Sequence, residues 1–312
     1  MRRENMKKIA DYDTINYDYS TYWKRREYEH LAEVLALKKL LKDSSGNWFL
    51  DIGGSYGRLL PTYYDNYNNP VIIDYSLKTL QKNYSNIKRD FPNTYLIAAN
   101  AYHLPFKDNS FNGALTVRVL HHIVKPDNYF KEIYRVLEGD SIYIQEFANK
   151  LHIKAVIKSL FSLNFSLFKP GPYQQPDKGH HEGSRKHVKV PFYNYDVKWI
   201  RENLKQVGFV VKKKLGCSFL RLNLFKRIFS LKQLLFFEKL SQNLLSFTNI
   251  APSIFLKLLV RKESSKKHIK KLEDILVCPK CKDSLNFTKN KATCSSCREE
   301  FLKKDNIWDF RV

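Results

Sequence analysis

Between residues 48 and 148 the chain alternates continuously apolar runs with segments of helical spacing. WFLDI, PVIIDYS, NTYLIAAN, a run inside FNGALTVRVLHHI, and DSIYIQEFAN are the apolar runs; SLKTLQKNYS and DNYFKEIYRVL are the helical segments. Strands that are apolar at nearly every residue are buried on both faces, the pattern of a parallel sheet covered by helices on both sides. Two later runs, FVVKKKLGCSFLRL and PSIFLKLLVRK, bring the predicted strands to seven. Before them, REYEHLAEVLALKKLLK reads as an amphipathic helix, and YGRLLPTYYDNY as a helix start. Ser76 is placed to cap the helix after the second strand, and Gly208 to stop the helix in YNYDVKWIRENLKQVGF.

Behind the first strand stand Gly53, Gly54 and Gly57, three of only 11 glycines in 312 residues, within five positions. Glycine permits positive φ and lets a ligand approach the backbone, so an acid (Asp51) followed by such a turn has the shape of a cofactor cradle. Asp74 ends the next strand, where an acid can hold ribose hydroxyls. The run does not complete G-x-G-x-x-G, whose third glycine is missing, which disfavours a dinucleotide.

The net charge of +23 is unevenly spread. Residues 48–148 balance 10 cations against 10 anions, whereas 149–271 carry 26 cations and 6 anions. Whatever the glycine turn binds is therefore not selected by bulk charge. The composition, 43% hydrophobic and 14% aromatic, excludes disorder as the main state. No uninterrupted apolar stretch is long enough to span a bilayer, and the basic N-terminus lacks the apolar core of a secretory signal, so a cytoplasmic protein is expected. The basic, Phe- and Leu-rich segment leaves contact with an anionic membrane open, which would make the protein peripheral at the inner membrane surface.

Cys278, Cys281, Cys294 and Cys297 form two C-x2-C knuckles twelve residues apart. Four thiolates at this spacing suit tetrahedral Zn²⁺ in a structural site, with no open coordination position for catalysis. Two disulfides would need an oxidising compartment.

The motifs taken together are more specific. LDIGGSYGR resembles the D-x-G-x-G-x-G motif of class I S-adenosylmethionine-dependent methyltransferases, and VIIDYS their second motif. NAYHLPFKDNSFNGALTVRVLHHI is similar to their D-A-x-x-L-P-F-x-D-x-S-F-D stretch with its following L-H-H, and EIYRVLEGDSIYIQEFAN to their R-V-L-x-P-G-G strand region. The resemblance covers about residues 25–262 and is to the small-molecule type. It implies a Rossmann-like α/β domain with a seven-stranded, mostly parallel sheet and helices on both faces. It also implies that Asp51, Gly53, Gly54, Ser55 and Gly57 line the methionine and ribose part of the cofactor. Asp74 would bind the ribose hydroxyls, Tyr75 would lie against adenine, Asn100 and Ala101 would contact the adenine edge, and Val117 and Arg118 would lie beside the sulfonium. Three positions depart from the family: Ser55 stands where the middle glycine belongs, and Asn100 and Asn112 where aspartates belong.

The C-terminal LEDILVCPKCKDSL and CREEFLKKDNIWDF resemble a small zinc-ribbon family that partners or fuses with RNA and release-factor methyltransferases, implying a scaffold or docking role. The expected organisation is an N-terminal helical extension (1–47), a methyltransferase domain (48–262) with a substrate lid loop (149–192) and an amphipathic helical insertion (223–249), a basic linker (263–272) and a zinc ribbon (273–312). Candidate general bases are His121, His122, Glu146, His181 and Tyr193, with His180 and His187 nearby in sequence. The expected activity is in-line methyl transfer from S-adenosylmethionine to a small-molecule or lipid-like acceptor. The alternative is an RNA or protein methyltransferase that docks its substrate through the basic segment and the ribbon. A cofactor-binding protein without catalysis is a third reading.

Overall fold

The computed structural model describes residues 13, 22, 23, 25–174, 192–264 and 270–312. Helix α1 (Glu27–Leu41) precedes β1 (Gly46–Ile52), β2 (Tyr67–Asp74), α2 (Leu77–Asp90), β3 (Tyr95–Ala99), β4 (Phe111–Thr116), α3 (Pro126–Val136) and β5 (Leu137–Ala148). Then come α4 (Ile153–Phe161), the short strands β6 (Tyr173–Gln174) and β7 (Tyr193–Asn194), α5 (Val197–Val207), β8 (Phe209–Cys217), α6 (Asn223–Ile228), α7 (Leu231–Leu244) and β9 (Ser253–Val260). The C-terminal part adds α8 (Leu272–Ile275) and strands β10 (Leu285–Phe287), β11 (Lys291–Cys294), β12 (Glu300–Lys304) and β13 (Ile307–Phe310).

The seven expected strands lie in the order β3-β2-β1-β4-β5-β9-β8, with only β9 antiparallel to its neighbours. From β1 the chain winds outward through β2 to β3, then returns to β4 on the other side. That reversal opens a crevice above the carboxyl ends of β1 and β4. The strands are apolar on both faces because two clusters cover them. Trp48, Leu50, Val71 and Ile97 point to one, while Phe49, Ile72, Leu96 and Leu115 point to the other with α1. Ser76 caps α2 by accepting from the Thr79 N–H at 3.1 Å, and Gly208 ends α5 at φ +116°.

Three expectations are corrected. YGRLLPTYYDNY forms two single 3₁₀ turns, Leu60–Thr62 and Tyr64–Asn66, instead of a helix. Pro61 supplies no N–H where a helix starting at Tyr56 would need one in its interior. The expected lid loop 149–192 begins as the regular helix α4 and a 3₁₀ turn at Phe165–Phe168; residues 175–191, including His180, His181 and His187, lie outside the described residues. The ribbon is not a separate appendage. Its β13 pairs parallel with β3, Phe310 opposite Ala99, so one sheet of eleven strands runs through both parts. Ile275, Cys278, Phe301 and Trp308 share a buried cluster with Ile97 and Phe106.

Candidate functional site: a cofactor pocket and a four-cysteine centre

A pocket occupies the crevice. It is lined by Asp51, Gly53, Gly54, Ser55, Asp74, Tyr75, Asn100, Ala101, Val117 and Arg118, ten of the eleven residues expected to hold a cofactor. Gly57, the eleventh, turns the chain behind the pocket, with φ +76° and packing against Leu60 and Ile87.

The glycine turn is fixed from β2: the N–H groups of Gly53 and Gly54 donate to the Ile73 carbonyl at 2.8 and 3.2 Å. Gly53 has φ +72°, and a Cβ there would stand 2.3 Å from the Val119 side chain. A Cβ on Gly54 would meet the Asp51 carboxylate at 2.8 Å. Ser55 also adopts positive φ, +51°, which explains why glycine is the family residue at this position. Its N–H donates to Asp74 Oδ2 at 3.0 Å, and the Ser76 N–H donates to Oδ1 at 2.9 Å. Asp74 thus clamps both sides of the pocket floor while each oxygen keeps a further lone pair. Burial pushes its carboxyl up to about 6, against those two N–H donors. Asp51, fully buried, accepts from the Tyr63 hydroxyl at 2.7 Å; burial raises it to about 7.

The other two departures also acquire reasons. Asn100 Oδ1 accepts from the Tyr102 N–H at 3.0 Å, and its amide nitrogen donates to the main-chain oxygen of Val312 at 3.1 Å. An aspartate would set two acceptors against each other there. Asn112 Oδ1 accepts from the Asn47 and Trp48 N–H groups at 2.8 and 3.0 Å, and its amide donates to Glu138 at 2.7 Å. Its role is to anchor the start of β1.

The pocket has walls that the motif pattern did not reveal. Glu33 of α1, fully buried, receives Arg58 at 2.7 Å and Arg118 at 2.6 Å. Burial alone would raise its carboxyl, but the two guanidinium groups more than offset that and hold it below the usual range. Glu29 and Glu33 lie on the α1 face that buries Ala32, Ala36 and Leu40, a signal that was present in the sequence. At the opposite end, Arg311 donates to the Tyr75 carbonyl at 3.2 Å and pairs with Asp13 at 3.0 Å, its guanidinium 5.7 Å from the Tyr75 ring centre. The ribbon's last two residues therefore brace the Tyr75 and Asn100 walls.

Of the candidate bases, His122 lines the pocket. His121 packs beside it, ring centres 4.0 Å apart, and against Phe192. Glu146 is buried behind the Arg118 turn, accepting from the Arg118 N–H at 2.9 Å and the Ser253 hydroxyl at 2.5 Å; burial raises its carboxyl. Arg118 sits at φ +63° there, so Glu146 supports the turn from outside the pocket lining. Tyr193 lies with its ring centre 6.4 Å from that of Tyr195, the rings tilted at 45°, also outside the lining. His181 is outside the described residues.

The four cysteine sulfurs lie within 4.8 Å of one another, with Cys278–Cys297 at 3.6 Å and Cys281–Cys294 at 3.4 Å. All are free thiols. Tetrahedral Zn–S bonds of about 2.3 Å imply S···S spacings near 3.8 Å, so the donor set fits that ion with small adjustment.

This combination of a switch-point crevice, a glycine turn after β1 and an acid ending β2 defines an S-adenosylmethionine-type cofactor fold. Residues 50–144 match the family model described as a methyltransferase domain. An uncharacterised protein of Methanocaldococcus jannaschii is 30% identical over 216 residues, 69% of this chain and 81% of that protein. The chain belongs to the S-adenosylmethionine-dependent methyltransferases. A demethylmenaquinone methyltransferase of Chlamydia trachomatis is 31% identical over 113 residues, 35% of this chain and 47% of that protein. Among solved structures, the complex of the Haloferax volcanii Trm112 methyltransferase activator with a methyltransferase matches with TM-score 0.54 at 12% identity, over 81% of this chain and 96% of that one. A Listeria monocytogenes methyltransferase matches with TM-score 0.52 at 15% identity, over 75% and 98%. These two show the fold.

Proposed function

We propose that the protein methylates a small, apolar or lipid-like acceptor. When bound, S-adenosylmethionine supplies an electrophilic methyl on a sulfonium, so the protein has mainly to align the acceptor and accept a proton. In this reading Asp74 takes the ribose hydroxyls, Tyr75 and Ala101 enclose adenine, and the glycine turn admits the methionine portion. His122, beside Val119, Ile123 and Tyr102, is the group placed to take a proton from the acceptor. A structural Zn²⁺ on the four cysteines would hold the ribbon, and through it the Tyr75 and Asn100 walls.

The observation that carries an apolar acceptor is the state of the pocket's cations. Arg58 and Arg118 are both held by the buried Glu33, one carboxylate against two guanidinium groups, and apart from His122 the acceptor side is lined by Val119, Ile123 and Tyr102. An anionic macromolecule would need free cations there. The local likeness to demethylmenaquinone methyltransferases supports the same class of acceptor. The second reading, an RNA or protein acceptor, rests on the basic stretch and on the ribbon.

The test is transfer of labelled methyl from S-adenosylmethionine into a lipid extract, total RNA and a protein extract, preceded by calorimetry of cofactor binding. Label in the organic phase supports the proposal. Label in RNA or protein replaces it, and no cofactor binding at millimolar concentration would overturn enzymatic function altogether.

A further inference from the structure

Helix α7 carries apolar side chains on both faces, with Leu231, Leu234 and Leu235 packed inward. Its inward face carries Glu238 and Gln242, both fully buried: Glu238 accepts from the Tyr28 hydroxyl at 2.5 Å and from the Ser218 and Phe219 N–H groups, and Gln242 donates to the Ala32 carbonyl. Its outward face carries Phe236, Leu240 and Leu244, spaced four apart and 60%, 41% and 66% exposed. Phe247 continues that stripe at 83%. Surface helices of globular proteins keep their outward face polar. Helix α4 repeats the pattern, with Ile153, Ile157 and Phe161 turned outward and Phe161 89% exposed. Of the 18 large apolar side chains exposed among the described residues, 15 lie on α4, α6, α7 and the turns that flank them. Single exposed apolar residues need no explanation; a concentration of this kind marks an interaction surface.

α4 and α6 start from the carboxyl edge of the sheet, the edge at which the pocket lies, and α7 packs on α1 and β8 beside them. α4 follows the carboxyl end of β5 and α6 that of β8, while the Ile153 N–H donates to the Ile250 carbonyl just before β9. His152 and Arg221 are close enough that burial first, and then the cations Arg221 and Lys154, push the His152 imidazole down to about 4. α6 is joined to α1 by the Lys226–Glu29 pair at 2.6 Å, one helical turn from Glu33 and its pocket arginines.

The charges identify the occupant. Lys154, Lys158, Arg227, Lys232 and Lys239 are exposed among the apolar residues, and the single carboxylate of α4, α6 and α7, Glu238, is buried. Aromatic and aliphatic side chains interleaved with cations match the headgroup boundary of an anionic bilayer, which takes both at once. No helix among the described residues is long and apolar enough to cross a membrane, so contact would be interfacial.

We propose that α4, α6 and α7 form a platform that docks on an anionic lipid surface, presenting the mouth of the pocket to the membrane. The proposal concerns docking and stands whatever the acceptor.

The test is flotation of the full chain with phosphatidylcholine vesicles, with and without phosphatidylglycerol, at low and high salt. Wild-type protein should float with anionic vesicles at low salt, less with neutral ones, and partly detach at high salt. The doubly substituted Phe161→Ser, Phe247→Ser chain should keep its melting temperature and cofactor affinity, since both side chains are solvent-exposed, yet lose at least about tenfold in vesicle affinity. Absence of flotation with anionic vesicles at low salt overturns the proposal, as does flotation unchanged by the double substitution. Specific capture of total tRNA in place of vesicles overturns it too, as does a dimer in solution that the double substitution dissolves while vesicles are ignored.

Discussion

The methyltransferase sheet ends in β3 on one side and β8 on the other, and the chain finishes the two edges in opposite ways. At β3 it supplies its own neighbour. β13 adds a parallel strand, Val277 and Lys107 exchange backbone hydrogen bonds with Pro105 and Ile275, and Lys282 pairs with Glu132 at 2.9 Å. At β8 the covering helices bury leucines but also turn a row of apolar side chains outward. An exposed strand edge is a template for unwanted pairing and is normally covered. The β3 edge is thus satisfied within the molecule and linked to the cofactor pocket through Arg311 and Val312, whereas the β8 side displays a surface with no partner among the described residues.

The strongest way to break this contrast is to remove the metal proposed for the four cysteines. Structural Zn²⁺ contributes on the order of 10 kcal/mol to small ribbons. Chelation, or Cys278→Ser with Cys294→Ser, should unfold β10–β13, uncover β3 and weaken cofactor binding as Asn100 and Tyr75 lose their supports. Metal analysis, thermal melting and calorimetry check this together. An unchanged melting temperature and cofactor affinity in the metal-free protein would show that the two parts are not coupled.

Asp74→Asn comes next. It removes the charge and turns an amide NH2 toward one of the two N–H groups that the carboxylate accepts, and hydrogen bonds to charged groups contribute about 1.5–3 kcal/mol, so cofactor affinity should fall about 10- to 100-fold. The same group gives a pH signature. Asp51 and Asp74 titrate near 7 and 6 in the folded protein, above the ordinary carboxylate value. The folded state therefore binds more protons than the unfolded one between about pH 4 and 7, and their contribution to stability is present at low pH and lost as pH rises through 6 to 7. Cofactor affinity should run the other way, falling as pH drops through about 6 and Asp74 is protonated. Melting and calorimetry across that range should show opposite slopes, and Asp74→Asn should flatten the affinity curve. Parallel slopes would remove Asp74 from the ribose role.

Arg311→Ala sharpens the β3 side without unfolding it. Losing the Asp13 pair, the Tyr75 carbonyl contact and the cation over the Tyr75 ring should weaken cofactor binding several-fold, on the order of 1 kcal/mol. Arg89→Ala, which removes a wholly exposed pair with Asp90, should change nothing. Equal affinities for the two variants would mean that the ribbon's tail lies near the pocket without affecting it.

What could be read from the sequence follows from the range of the forces involved. The parallel strands were legible because burial on both faces leaves uninterrupted apolar runs, and Ser76 and Gly208 because caps are local. The pocket lining was legible through the glycine turn and Asp74. The reason for Asn100 was not, since its partner Val312 is 212 residues away. Strand β13 was hidden for the same reason: its pairing with β3 leaves no periodicity in either segment. Helix α4 escaped because its apolar stripe faces outward and adjoins a proline- and glycine-rich stretch. Glu33 could have been found, as a carboxylate on the apolar face of α1 calls for a buried cation.

The smallest predicted effect concerns Ser55, the departure that most threatened the cofactor reading. At φ +51° an L-residue costs roughly 1–2 kcal/mol relative to its relaxed conformation, while glycine adds about 0.5–1 kcal/mol of unfolded-state entropy. The difference favours Ser55→Gly by about 0.5–1 kcal/mol, a rise in melting temperature of about 1–4 °C for a domain of this size. The Ser55 N–H to Asp74 bond needs only backbone and survives the change, so cofactor affinity should hold or improve as the hydroxymethyl group leaves the lining. If instead the variant melts lower or binds the cofactor more weakly, the serine hydroxyl contacts the ligand, and the cradle of this chain departs from the glycine pattern by function and not by tolerance.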